Sequence, residues 1–144
     1  MGKPISSAPI NIIYGEQVPK CSLKCHFNYN YQLSNFKGTH KSNEFLYLVE
    51  DSNSHIMFNA DKYKLKSISI CKPIHQYGGR YPIGEIIIIH ENENYNKQVW
   101  ICIPLKSGFS ANSKTTLIDN LVNPLASSAP GDTLSIKSFN LNNL

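Results

Sequence analysis

Polar and apolar residues alternate along residues 62–67, with the period of two that a β-strand requires. One side of this segment carries the basic side chains of Lys62, Lys64 and Lys66. The other side carries Tyr63, Leu65 and Ser67. The alternation then changes phase through Ile68 and Ile70. Because a β-bulge or a strong twist absorbs such a change, we predict an irregular strand here.

Two apolar runs predict central strands. Residues 84–90 include an uninterrupted run of isoleucines, and residues 98–105 are apolar on both sides. Strands that are covered on both faces have this composition. The connection of residues 91–96 is polar, so we expect the two strands to be near neighbours. Further strands are predicted at residues 22–31, 44–49, 55–59 and 134–139, with turns at residues 50–53 and 77–82.

Only residues 113–122 have a helical pattern. Their apolar stripe consists of Leu117, Ile118, Leu121 and Val122. Ser113 is a suitable N-cap, and Pro124 is expected to end the helix because the residue before a proline disfavours helical geometry. The pattern as a whole predicts a mostly β domain with one short helix.

Composition limits the class of protein. The chain has 144 residues, which fits a single domain spanning residues 1–144. Hydrophobic residues make up 41% and charged residues 17%, which excludes the signature of disorder. The net charge of +4 tolerates a polyanionic partner without requiring one, and we expect no nucleic acid. No apolar run approaches the roughly 20 residues of a membrane span, and we expect neither a span nor a signal peptide within residues 1–144.

The cysteines and histidines offer weak metal or catalytic signals. Cys21, Cys25 and His26 could supply soft metal ligands, but no matching second pair lies nearby in the sequence. We interpret these cysteines as ordinary ones with reduced thiols. His75 and His90 flank the isoleucine strand and could act as bases or ligands. We favour histidines held by hydrogen bonds instead.

The lysine row has two interpretations. Lys62, Lys64 and Lys66, with Lys72 beyond them, could bind sulfated glycan or another polyanion. Lysines also line solvated edge strands, where they prevent aggregation. We favour the solvated edge on the residues alone.

Several segments in order resemble the α-class carbonic anhydrases. Residues 7–12 are similar to the family's Q-S-P-I-N-I signature, and residues 63–71 resemble its Y-x-L-x-Q-F-H-F-H strand. Residues 74–82 resemble the S-E-H turn that ends in Tyr-Pro, and residues 84–90 resemble the E-L-H-L-V-H strand. The resemblance covers roughly residues 5–108 and continues more weakly at residues 117–122 and 139–144. It implies a central, twisted, largely antiparallel sheet with one or two short helices.

The resemblance also identifies what this chain lacks. The family's three zinc-binding histidines fall on Ser69, Cys71 and Ile87, and the carboxylate of its S-E-H turn falls on Ile74. One thiol cannot replace three imidazoles, so the resemblance implies a degenerate zinc site, no cofactor and no carbonic anhydrase activity. The family's later strands have no counterpart before Leu144, so we expect a fold that is truncated at its C-terminus.

Two functions follow as expectations. The first is a non-catalytic structural or binding protein that works with other protein subunits, such as a capsid or envelope component of a virion. Inactive relatives that bind chondroitin sulfate make a glycosaminoglycan a further candidate ligand. High Asn, Lys and Ile contents suggest an AT-rich genome such as that of a large DNA virus, with the virion or the cytoplasm as location. The alternative is a metal-dependent lyase or hydrolase with a rebuilt site of Cys71, His75 and His90.

Overall fold

The computed structural model describes residues 11–12, 26–107 and 113–144, apart from the side chains of residues 113–117 and 143. In chain order the elements are β1 (Asn11–Ile12), β2 (Phe27–Asn30), β3 (Ser34–His40), β4 (Glu44–Asp51), β5 (His55–Phe58), β6 (Asp61–Cys71), β7 (Gln76–Tyr77), β8 (Gly84–Asn92), β9 (Lys97–Leu105), α1 (Ser113–Ala126), β10 (Thr133–Phe139) and a 3₁₀ turn (Leu141–Asn143). Within these ranges the chain is mostly strand with one α-helix, as the sequence predicts.

Eight strands form one antiparallel sheet around β6, and β1 pairs with β7 in a separate parallel ribbon. One edge of β6 pairs first with β5 and then with β4, while its other edge pairs with β8. β3 and β10 extend the sheet beyond β4, β2 extends it beyond β5, and β9 follows β8. The register of β6 on β8 shifts between Leu65 and Ser67. The sequence alternation changes phase at this point, so the predicted irregularity is confirmed.

The core lies between one face of the sheet and α1. Sheet residues such as Tyr47, Ile68 and Ile86 are completely buried there against Leu121 and Leu125 of the helix. The Tyr47 hydroxyl donates a hydrogen bond of 2.7 Å to the Leu121 carbonyl. Apolar burial on this scale supplies the main driving force for folding.

The helix extends further than the sequence predicts. It starts at Ser113 but continues to Ala126, with Pro124 inside its last turn. Proline removes one helical hydrogen bond, and this cost is modest near a helix end. Leu125 lies one turn after Leu121 and is fully buried, so its packing outweighs that cost. In the described part of the chain no helix is long and apolar enough to cross a membrane.

The sequence prediction missed β1, β3 and β7, and Tyr77 of β7 was predicted as part of a turn. β3 was not predicted because its residues are mostly polar; Phe36 is its principal apolar anchor and is completely buried. Gly38 lies in β3 because a Cβ at this position would come within 3.0 Å of the Leu125 side chain. β9, predicted as a central strand, pairs with β8 and has no second partner among the described residues.

Candidate functional site

Most of the candidate residues lie on the sheet face opposite α1, which we call the helix-free face. Directly opposed residues of neighbouring strands point to the same face of a sheet. The register therefore places three rows on the helix-free face: Leu48, Ser67, Ile89 and Trp100; Leu46, Ser69, Ile87 and Cys102; and Glu44, Cys71, Glu85 and Pro104.

The three positions that the resemblance assigns to zinc-binding histidines are neighbours on this face. Ser69 opposes Ile87 across β6 and β8, and Cys71 lies two residues along β6. The Ser69 hydroxyl donates a hydrogen bond to the carboxylate of Glu44. Burial raises the pKa of the Cys71 thiol, and its sulfur lies 3.7 Å from the carbonyl oxygen of Glu85.

The chemistry of these three positions does not fit catalytic zinc. Such a site needs three protein ligands and an open position for water. Ile87 has no donor atom, the Ser69 hydroxyl is a poor ligand, and Cys71 supplies a single thiol. The set therefore offers one soft ligand where three are needed.

A cleft of about 660 Å³ lies above these positions. Ser69, Cys71 and Ile87 contribute to its lining, and Ile74, Ile89 and Trp100 make that lining largely apolar. Lys41, Glu44 and Lys72 also line it and bring charges of both signs. The cleft can accept an apolar group with a polar end, and it presents no cluster of imidazoles.

Beside the cleft, the buried carboxylate of Glu85 is held by a network of donors. Its Oε1 lies 2.6 Å from Nδ1 of His75 and accepts a 3.2 Å hydrogen bond from the Tyr77 hydroxyl. Its Oε2 accepts hydrogen bonds from the backbone N–H groups of Ile74 and His75. Burial alone would raise the pKa of Glu85, but the hydrogen bonds outweigh it and lower the pKa.

Cys102 joins this network, and sequence reasoning did not single it out. Its sulfur and the ligand atoms of His75 and Glu85 all lie within 4.8 Å of one another. Burial raises the pKa of Cys102 to about 11. Its position depends on the register of β9 against β8, and no pattern within a single strand reveals that register. The His75 imidazole, the Glu85 carboxylate and the Cys102 thiol could together serve as ligands of one metal ion.

His90 lies at the opposite end of β8 and on the core face. Its cross-strand partner is Leu65, six residues along β6 from Cys71, which corresponds to about 20 Å. His90 is completely buried, and burial lowers its pKa to about 4. The rebuilt site of Cys71, His75 and His90 is therefore not formed, because His90 lies at the other end of β8 from Cys71.

The lysine row lies on the helix-free face, at the end remote from the cleft. Lys64 and Lys66 both approach Glu93, with Nζ to carboxylate distances of 3.8 and 3.3 Å. Lys62 is exposed, and Lys72 lies away from the row, beside the cleft. β6 is flanked by strands on both sides, so the solvated-edge interpretation of the row is wrong. The shared carboxylate neutralises part of the row's charge.

The Cys-x3-Cys motif lies largely outside the described residues. Cys21 and Cys25 are not among them, and the prediction that they are ordinary cysteines stays a prediction. His26 is exposed, and its backbone N–H donates a 3.1 Å hydrogen bond to the side chain of Asn59.

Comparisons with known proteins identify the fold. No protein-family model matches this chain, and no curated protein matches it significantly. Three solved structures align over nearly the whole chain. Dioscorin complexed with ascorbate aligns over 98% of this chain with a TM-score of 0.75 and 17% identity. An alpha-carbonic anhydrase of Photobacterium profundum aligns over 98% with a TM-score of 0.73 and 14% identity. Carbonic anhydrase Cah3 from Chlamydomonas reinhardtii, in complex with acetazolamide, aligns over 95% with a TM-score of 0.76 and 17% identity.

The alignments leave part of each known structure uncovered. This chain spans 58% of dioscorin, 61% of the Photobacterium enzyme and 58% of Cah3. The order of strands around β6, the helix on one face and these alignments agree with the expected architecture. The chain therefore has the fold of the α-class carbonic anhydrases.

Proposed function

We propose that this chain is a non-catalytic protein of carbonic anhydrase fold that serves as a subunit of a larger assembly, such as a virion. The observation that carries the proposal is the set of Ser69, Cys71 and Ile87 at adjacent positions of one sheet face. An imidazole triad at these positions would hold zinc and activate water, and the side chains present cannot do either.

The subunit role is supported by apolar surface. Trp100 and Leu48 on the helix-free face are both 47% exposed, and β9 has one free edge among the described residues. Exposed apolar patches and unpaired strands of this kind mark protein interaction sites. The composition supports a viral source, with the virion or the cytoplasm as location.

A CO2 hydration assay tests the proposal. The purified chain, with zinc added, is expected to hydrate CO2 no faster than buffer alone. A rate above that of buffer, abolished by a zinc chelator and by Cys71→Ser, would contradict the proposal. Cys102→Ser is the matched control, because Cys102 lies on the same face but outside the three positions.

Glycosaminoglycan binding is a narrower form of the same proposal, and the lysine row supports it. Lys62 and Lys64 are exposed beside Lys66, but Glu93 counters part of their charge. The triple variant K62A/K64A/K66A should therefore elute from heparin at lower salt than the wild type. Glu93→Gln should elute at higher salt, because it releases two lysines. Unchanged elution of both variants would exclude the lysine row as the heparin-binding surface. Lys72→Ala tests separately whether the cleft contributes to heparin binding.

A metal-dependent activity is the second candidate function. Its ligands would be His75, Glu85 and Cys102 instead of the expected Cys71, His75 and His90. The observation in its favour is the proximity of the donor atoms of His75, Glu85 and Cys102. Glu85 already accepts hydrogen bonds from the Tyr77 hydroxyl and from two backbone N–H groups, and its Oε1 lies 2.6 Å from Nδ1 of His75, so a metal would have to displace existing partners. Zinc or cobalt that binds stoichiometrically and is lost in Cys102→Ser but kept in Cys71→Ser would support this candidate.

A further inference from the structure

Three side chains with different metal-binding atoms meet beside the degenerate zinc positions. His75 precedes β7, Glu85 lies on β8 and Cys102 lies on β9. A ring nitrogen of His75, a carboxylate oxygen of Glu85 and Sγ of Cys102 all lie within 4.8 Å of one another. Bonds of about 2.0–2.3 Å place the ligands of one metal ion about 3–4 Å apart. Small side-chain rotations would therefore let these atoms surround an ion.

The surrounding structure holds all three side chains in place. Glu85 is completely buried, His75 is 5% exposed and Cys102 is half-buried. The Glu85 carboxylate accepts hydrogen bonds from the backbone N–H groups of Ile74 and His75, which fixes the turn that carries the imidazole. Cys102 opposes Ile87 in the regular ladder of β8 and β9, which fixes the thiol. Ligands on such rigid elements need little reorganisation to bind.

The hydrogen bonds of Glu85 select the kind of ion. Its carboxylate accepts hydrogen bonds from the Tyr77 hydroxyl and two backbone N–H groups, and it lies 2.6 Å from Nδ1 of His75. An ion that needs carboxylate oxygen, as hard cations do, would have to displace these partners. The sulfur of Cys102 and the imidazole of His75 are the softer donors, and soft donors select Cu(I). Cu(I) is also satisfied by fewer ligands than the four that zinc takes.

Glu85 is suited to support a metal-binding imidazole. Metal-binding histidines usually donate their other ring N–H to a carboxylate or a carbonyl, which fixes the ring and raises its basicity. A carboxylate only accepts, so Nδ1 of His75 donates its proton to Oε1 of Glu85. The neutral ring then keeps a lone pair on Nε2 for a metal. The negative charge of the carboxylate also attracts a cation to this buried position.

We propose that Cys102 and His75 bind one Cu(I) ion, with Glu85 orienting the imidazole and balancing the charge of the metal. On binding, the Cys102 thiol gives its proton to solvent and its sulfur bonds to copper, and the copper keeps its oxidation state. The proposal deepens the metal-dependent candidate above and rests on the same cluster, but it assigns Cu(I) instead of zinc or cobalt and requires no activity. Zinc or cobalt titration therefore tests that candidate, and Cu(I) titration tests this one.

Competition with bicinchoninate, a chromogenic Cu(I) chelator, measures the affinity of the chain. Cys21 and Cys25 lie next to His26 in the sequence and would bind copper themselves, so every protein in the experiment carries C21S/C25S. Cu(I) is added without oxygen as its acetonitrile complex. We expect one ion per chain, binding that is weaker by about tenfold or more in Cys102→Ser, and unchanged binding in the matched control Cys71→Ser. Cys71 lies on the same face of the sheet but outside the cluster.

His75→Gln distinguishes a built site from a reactive thiol alone. Glutamine keeps an N–H donor for Glu85 and removes the imidazole, so the Cu(I) affinity should fall by about tenfold or more. X-ray absorption at the copper edge of the C21S/C25S chain should show both sulfur and nitrogen neighbours, a result that does not depend on how the other variants fold. Copper with sulfur neighbours only, or equal affinities of Cys71→Ser and Cys102→Ser, would overturn the proposal. Zinc that binds at Cys102 as tightly as Cu(I) would overturn the choice of metal and support the metal-dependent candidate.

Discussion

The hydroxyl of Tyr31 and Nε2 of His90 lie 3.0 Å apart in a stacked pair that closes one end of the core. The other ring nitrogen of His90, Nδ1, lies 3.3 Å from the carbonyl oxygen of Val99. A carbonyl only accepts, so Nδ1 carries the proton and Nε2 accepts from the Tyr31 hydroxyl. Both nitrogens of the neutral His90 ring therefore have hydrogen-bond partners, and protonation of Nε2 would break the hydrogen bond from Tyr31.

This arrangement predicts acid sensitivity. Burial lowers the pKa of His90 to about 4, whereas an unfolded histidine titrates near pH 6.5. The stability it contributes is present above pH 6.5 and is lost as the pH falls toward 4, by about 1.4 kcal/mol per pH unit. Urea unfolding between pH 7 and pH 4 measures the slope. His90→Gln should lower stability at pH 7 and remove this part of the slope. Equal slopes in the two proteins would show that His90 does not titrate in this way.

The Glu85 network predicts a steep stability difference between two substitutions. Glu85→Ala should cost about 3–5 kcal/mol, because it leaves buried donors and His75 without their acceptor. Glu85→Gln retains an acceptor and should cost about 1–3 kcal/mol. Chemical denaturation measures both. Glu93→Gln is the control, since Glu93 is 58% exposed and its loss should change stability by less than about 1 kcal/mol. Comparable costs at Glu85 and Glu93 would mean that the network is not formed.

The turn between β5 and β6 predicts a stabilising substitution. Asn59 and Ala60 both adopt positive φ, at 50° and 70°, in a two-residue hairpin loop closed by Phe58 and Asp61. This turn type favours Asn-Gly, and alanine is strained at its second position. Ala60→Gly should raise the free energy of unfolding by about 0.5–1 kcal/mol, and Ala60→Val should lower it. If Ala60→Gly is destabilising, the turn geometry assigned here is incorrect.

The sequence predicted β8 and the strand nature of β9 because their apolar runs are long and β-branched. It also located the irregularity in β6, because a change of alternation has a direct structural consequence. It missed β3, because only the register against β4 makes a polar strand with one buried phenylalanine recognisable. Pro104 was a signal that part of β9 lacks a second partner among the described strands, since proline cannot donate a backbone hydrogen bond to a neighbouring strand.

Only the part of the candidate site that lies within single strands could be predicted from the sequence. The positions Ser69, Cys71 and Ile87 followed from the resemblance, and the register places them together. The approach of Cys102 to Glu85 needed the pairing of β8 with β9, which no single strand encodes. The separation of His90 from Cys71 also became clear only once the two strands were aligned.

A histidine graft tests whether the side chains at positions 69, 71 and 87 determine zinc binding by this chain. The triple variant S69H/C71H/I87H restores imidazoles at three adjacent positions beside the existing Glu85 network. We expect it to bind zinc more tightly than the wild type, measured by competition with a chromogenic chelator. The control places histidines at Leu48, Ser67 and Ile89 of the same face, away from His75 and Glu85. Equal zinc affinity of graft and control would show that the three positions have no special geometry.

The zinc content of the wild-type chain tests the central claim most directly. The chain is produced in zinc-supplemented medium, purified without chelator, and examined by native mass spectrometry and elemental analysis. Our account predicts a metal-free chain, because Ser69, Cys71 and Ile87 provide one soft ligand in place of three imidazoles. One zinc ion per chain that is lost in Cys71→Ser and retained in Cys102→Ser would contradict it.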